Sequence, residues 1–148
     1  MNIETIKKLV STDAGFSALV LRFPIAIIFI AHGAQKLFGL FGGYGLEGTG
    51  QWMESIGLAP GYTMALLAGS AEFFGGIALL IGLLVRPAAL VLGITMIVAI
   101  FSVHFANGLF MSANGYEFGL ALLAASVSLI FSGAGKVSLD NVLAKRFA

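Results

Sequence analysis

Four long apolar stretches, parted by glycine, proline and asparagine, leave this chain few ways to fold. They run from about Phe16 to Phe38, Tyr62 to Leu84, Pro87 to Ala106 and Tyr116 to Phe131. A helix that crosses a bilayer needs about 20 consecutive, mostly apolar residues, so each stretch reads as a span. The expected fold is all-α: an integral membrane four-helix bundle forming a single domain over residues 1–148. Charged residues make up only 10% of the chain and the mean hydropathy is +1.01. A soluble fold of that composition would expose large apolar patches, so lipid is the expected solvent.

The breaks carry turn chemistry. Gly39 to Gly50 is dense in glycine, and Pro60-Gly61 closes that loop. Within it, Gln51 to Leu58 reads as a short helix with Trp52, Met53 and Ile56 toward the membrane interface, a depth that tryptophan favours. Arg86-Pro87 reads as a tight turn with Pro87 opening the third helix. Asn107, Gly108, Asn114 and Gly115 mark the next turn, and Gly133 and Gly135 end the fourth helix before a short polar-apolar tail from Ser138 to Phe147. Pro24 marks either a kink or the true start of the first helix.

Charge sets the expected orientation. In a four-span reading Lys7, Lys8, Arg86, Lys136, Lys145 and Arg146 fall on one side, whereas the opposite loops carry Glu47 and Glu54 and no lysine or arginine. The positive-inside rule then puts both termini in the cytoplasm. Before the first span, Met1 to Gly15 contains Glu4, Lys7, Lys8 and Asp13 and has no apolar centre, unlike a secretory signal. Ile3, Ile6, Leu9 and Val10 share a helical face, which fits either a helix on the membrane surface or a frayed tail. No basic stripe suggests nucleic acid as a partner. Cysteine is absent, which excludes disulfides and thiolate chemistry by the chain's own side chains.

Seven ionisable residues lie in or at the edge of the spans: Arg22, His32, Lys36, Glu72, Arg86, His104 and Glu117. A charge at the bilayer centre costs about 3 kcal/mol on insertion scales, so these residues are the informative ones. Arg86, at the cytoplasmic turn, reads as an anchor reaching lipid phosphates. Glu72 lies near the middle of the second span, and its face carries Ala65, Ala68, Gly69, Gly75 and Gly76. Such a face packs closely against other helices and turns Glu72 inward. Glu72 is then either a proton carrier or a carboxylate that Arg22 or Lys36 holds for structure.

Arg22, Phe29, His32 and Lys36 share one arc of the first helix, the expected partner of Glu72. His32 reads equally as a packed core histidine, and Lys36 as a lysine snorkelling at the outer end. Glu117, Ala121, Ala124 and Ser128 form a small polar face on the fourth helix, and His104 lines up with Gly93, Ile97 and Ile100 on the third. One imidazole or carboxylate per helix suggests a metal site, but depth opposes a site of all four. Glu72 lies about 15 Å below the surface residues His104 and Glu117 at a 1.5 Å rise per residue. The expectation is a polar funnel without a metal, narrowing toward Glu72. A smaller metal site of His32, His104 and Glu117 is the alternative.

At these residues the chain resembles the DoxX family of bacterial membrane proteins. The resemblance rests on LRFPIAIIFIAHGAQKLFG in the first helix and GSAEFFGGIALLIGLLVRPAAL across the second helix and its turn. It continues through SVHFANGLFMSANGYEFGLALL and GAGKVSLD. It implies a four-helix protein of the bacterial inner membrane with redox associations, since some related proteins are subunits of thiosulfate:quinone oxidoreductases and others are linked to thiol and oxidative-stress systems. The pattern falls on Arg22, His32, Lys36, Glu72, His104 and Glu117.

The functional expectation is a redox-linked membrane subunit that binds a quinone or similar small molecule between helices. Glu72 and His32 would be the catalytic pair, with Glu72 moving the proton. Lys36, Arg22, His104 and Glu117 would bind substrate, Arg22 steadying the charge of Glu72. Electrons would come from a redox partner protein. The alternatives are a proton-coupled carrier of small solutes and a scaffold within a larger complex. Small-residue faces on the second and fourth helices suit packing within one bundle or in a homo-oligomer.

Overall fold

The computed structural model describes residues 3–12 and 14–146, apart from the side chains of Ile3, Ile6 and Lys7. The surface face expected of Ile3 and Ile6, the charges of Lys7 and Asp13, and the tail end at Phe147 therefore lie outside the described residues. Among the described residues seven α-helices follow in order: α1 (Ile3–Val10), α2 (Ser17–Phe38), α3 (Gly45–Ser55), α4 (Gly61–Ile81), α5 (Val85–Ala99), α6 (Glu117–Ser132) and α7 (Leu139–Arg146). There is no strand among the described residues. A π turn over Ile100–His104 and a 3₁₀ turn over Phe105–Asn107 extend α5.

Three of these helical runs are long and apolar enough to cross a membrane: Ser17–Phe38, Gly61–Ile81 and Val85–Asn107. The fourth apolar helix, α6, has 16 residues, about 24 Å at 1.5 Å per residue and shorter than the roughly 30 Å of hydrocarbon. Large apolar side chains point outward all round, among them Val20, Leu67, Phe74 and Phe131. That is the pattern of helices bathed in lipid.

The four apolar helices share one core, in which Ala26 and Phe29 of α2, Leu79 of α4, Leu92 of α5 and Leu129 of α6 are buried. α2 lies along α4, α5 lies along α6, and α4 also touches α5. Small residues set how closely α2 and α4 approach. A Cβ on Gly76 would stand 2.9 Å from the Ile30 nitrogen and 3.0 Å from the Ala26 oxygen, so backbone meets backbone there. Pro24 lies inside α2, which excludes it as the helix start. α1 is helical, with Val10 buried, and it packs on α5 and α7. α3 begins earlier than expected and rests on α4 and α2. Its Met53 is buried, while Trp52 and Ile56 stay exposed.

At the end of the molecule where α2 and α5 begin, charged side chains close three helix ends. Arg22 is buried and donates to Leu79 O, Leu80 O (3.0 Å), Ala134 O (3.1 Å) and Val137 O. Leu79 and Leu80 carry carbonyls of the last turn of α4, which lack partners within the helix. Arg86 does the same for α6, donating to Ile130 O and Phe131 O (2.9 Å), and it also reaches Ser11 O. The buried Asp140 accepts the N–H groups of Leu84 (2.7 Å) and Val85 (2.9 Å) at the start of α5. Cations thus sit at two C-termini and an anion at an N-terminus, as the helix dipole favours. Arg86 is consequently a helix cap, not the lipid-phosphate anchor that its position in the sequence suggests.

Candidate functional site

The opposite end of the core holds the polar residues that α2, α4 and the π turn bring together. Lys36 Nζ donates to Glu72 Oε2 at 2.6 Å. The Glu72 side chain is 5% exposed and that of Lys36 is 22% exposed, so the pair is screened on one side only. Burying these charges separately would be far more costly than burying them joined. Gly69, one turn from Glu72 on α4, leaves room for this approach, because a Cβ there would meet Lys36 Cβ at 3.1 Å.

Two cavities meet at this ion pair and share Lys36, Glu72, Ala99, His104 and Asn114 as wall. One, of about 210 Å³, extends between α2 and α6 past His32, Phe29 and Phe118. The other, of about 360 Å³, extends beneath α3 past Trp52, Met53 and Thr95. A surface hollow of about 460 Å³ opens beside Lys36 and Trp52, under the glycine-rich loop.

The π turn places His104 on this shared wall. His104 Nδ1 lies 2.9 Å from the carbonyl oxygen of Asn114, which also accepts from Asn107 Nδ2 at 3.2 Å. A carbonyl oxygen only accepts, so Nδ1 carries the proton, and in the neutral ring Nε2 is left with a lone pair. Asn114 itself takes the left-handed conformation, with φ 60°, which its residue type tolerates. His32 is exposed at the cavity rim, with its ring 6.3 Å from that of Phe118.

The structure thus brings together Glu72, Lys36, His32 and His104, and separates Arg22 and Glu117 from them. Arg22 binds carbonyls two turns below Glu72 on α4, and Asp140 is the carboxylate that acts on its charge. The expectation that Arg22 steadies Glu72 is therefore corrected: the two share a face in projection but not a depth. Glu117 accepts the Met111 N–H at 2.6 Å and ties down the loop before α6, and it does not line either cavity. Among the described residues no three or more of His, Asp and Glu are grouped closely enough to hold an ion, and His32, His104 and Glu117 form no such group. Asp140 was missed as a buried charge. Its signal was an acidic residue in the first turn of a tail helix, five residues after Gly135.

The DoxX family model matches residues 17–105, which hold α2 through the π turn and so all four of the residues brought together at the cavities, Lys36, Glu72, His32 and His104. An uncharacterised protein of Haemophilus influenzae is 36% identical over 133 residues, covering 85% of this chain and 90% of its own length. The inner membrane protein YqjF of Escherichia coli is 36% identical, with 87% and 93% covered. The candidate oxidoreductase CatD of Bacillus subtilis is 34% identical, with 86% and 87% covered. No solved structure matches the chain. With most of its length aligned to such relatives, and with its apolar helices long enough to span, the chain belongs to the DoxX family and is a multi-pass protein of the inner membrane.

Proposed function

We propose that the chain is a redox-associated membrane subunit that binds a quinone, or a small molecule with similar polar oxygens, against the Lys36–Glu72 pair. The observation that carries this reading is the pair's position, on a wall common to two cavities that also holds His104. Lys36 offers a cation to a carbonyl or an anionic oxygen. Glu72 and the free nitrogen of His104 are proton groups at the same wall, with His32 at its rim. The relative named as a candidate oxidoreductase adds support at the level of class.

In this reading α2, α4, α5 with its extension, and α6 all cross the bilayer as one four-helix domain. The lysine- and arginine-bearing end, with both termini, faces the cytoplasm, and Glu47 and Glu54 face outward. Reducing equivalents come from a redox partner protein, since the chain offers no thiol of its own. The test is quinone-dependent activity in membranes carrying Glu72→Gln at normal protein level. Loss of activity is the expected result, and unchanged activity would remove Glu72 from the mechanism. Solute flux in proteoliposomes, with no dependence on quinone, would instead favour a carrier.

A further inference from the structure

An apolar groove of about 340 Å³ lies on the outer side of α4 and α5. Its outward walls are Leu67, Ala71, Val91 and Ile94, and its inner end is formed by Met53, Leu58, Ala68, Thr95 and Val98. Those last five residues also wall the cavity that contains Lys36, Glu72 and His104. The groove and the polar cavity therefore adjoin, with one shared wall at a seam between α4 and α5 beside α3. The α4 side of the seam is thin, since Ala68 and Ala71 are its small side chains there. Along α5 the groove descends from Val98 to Val91, about 10 Å at 1.5 Å per residue.

We infer that this groove is the lateral door through which the tail of a membrane-borne quinone leaves the cavity. The inference rests on the quinone reading and specifies its ligand as one with an apolar tail. The chemistry changes along the passage in the order such a molecule requires. Ionised and hydrogen-bonding groups lie at one end, the single threonine Thr95 lies at the seam, and only apolar groups lie beyond it. Lipid tails are as apolar as leucine, so the groove has no hydrophobic advantage over the bilayer for holding a tail. Its role is steric. A headgroup seated at Lys36 and Glu72 needs an exit for its tail, and the seam supplies one that opens to lipid and not to water.

The test uses the full chain in lipid nanodiscs and reads quenching of Trp52, the one tryptophan, which borders the cavity. Two probes are compared: a decyl-tailed benzoquinone and the same benzoquinone without the tail. Ala71→Phe plugs the groove from α4, and Val91→Phe plugs it independently from α5; both positions line the groove and neither lines the polar cavity. The expected result is that either plug weakens the tailed probe by about tenfold or more while leaving the tail-less probe unchanged. Equal loss for both probes, or full affinity of the tailed probe in both plugged variants, overturns the door and leaves the groove to bilayer acyl chains. Failure of both probes to quench Trp52 in the unaltered protein overturns the quinone reading itself, and the door with it.

Discussion

Lys36 on α2 and Glu72 on α4, 36 residues apart in the chain, meet at 2.6 Å and form a charged crosslink between the two helices that pack most extensively. Removing one partner leaves the other charged and half or fully buried. Lys36→Met is expected to lower resistance to unfolding by about 2–3 kcal/mol, somewhat below the cost for a fully buried pair. The double variant Lys36→Met, Glu72→Met is expected to regain most of that loss, because a buried ion pair is often replaceable by apolar groups. Titration with SDS in mixed micelles measures both. A double variant as weak as the single one would show that the pair does not act as a unit.

The cap on α5 gives a second expectation. Asp140→Ala removes the acceptor of two backbone N–H groups and is expected to cost about 2–4 kcal/mol, whereas Asp140→Asn keeps one acceptor and costs less. Burial pushes the Asp140 carboxyl above the usual carboxylate range, against the pull of the Val85 and Leu84 N–H groups and of Arg22 and Arg86. A carboxyl that holds its proton more tightly folded than unfolded contributes stability below its ordinary value. That contribution is lost as pH rises through the raised value. The melting temperature of the unaltered protein should therefore fall relative to Asp140→Asn as pH rises across that window. A constant difference would contradict it.

Gly76 tests how closely α2 and α4 must approach. In an exposed helix, glycine to alanine gains about 1 kcal/mol. At Gly76 the added methyl would meet backbone atoms of Ile30 and Ala26, and overpacking of that kind costs about 1–3 kcal/mol. Gly76→Ala is expected to be the less stable protein. At the neighbouring Gly75 the nearest atoms belong to the flexible Leu92 side chain, at 3.1 Å or more, and Gly75→Ala should be tolerated better. Thermal unfolding in detergent ranks the two.

A variant at His104 tests the proposed proton transfer apart from the loop's structure. His104→Gln keeps a side-chain N–H for the Asn114 carbonyl but supplies no titrating nitrogen. The expected outcome is normal folding with quinone-linked turnover reduced about 100-fold, the lower range for loss of a general acid-base group. Turnover at the original rate would make His104 a purely structural ligand of the loop.

Orientation is open to direct labelling, because the chain contains no cysteine of its own. A single Glu47→Cys substitution is expected to react with a membrane-impermeant maleimide in intact spheroplasts. Lys145→Cys is expected to react only after permeabilisation. The opposite pattern would invert the topology.

The apolar helices were legible because their hydropathy is continuous over lengths that only lipid explains, and the inward turn of Glu72 was legible from its small-residue face. Depth was not. Arg22 and Lys36 share an arc of α2, yet 14 positions of rise place them in different polar layers, and a projection down the axis erases that distance. Partners that belong to the backbone were also hidden. Arg86 and Glu117 look like free charges in a sequence, because the carbonyls and N–H groups they bind carry no letter. The start of α3 was masked by the glycines at 45, 48 and 50, which packing overrides, since Gly50 lies against the backbone of Tyr62.

The grip of Arg22 also orders the assembly in time. Its guanidinium joins α2 to Leu79 and Leu80, made later, and to Ala134 and Val137, made later still. The knot therefore cannot be tied as each helix enters the bilayer. It closes only once synthesis has passed α6, so the segment that follows this helix fastens α2 to α4 after both have been made.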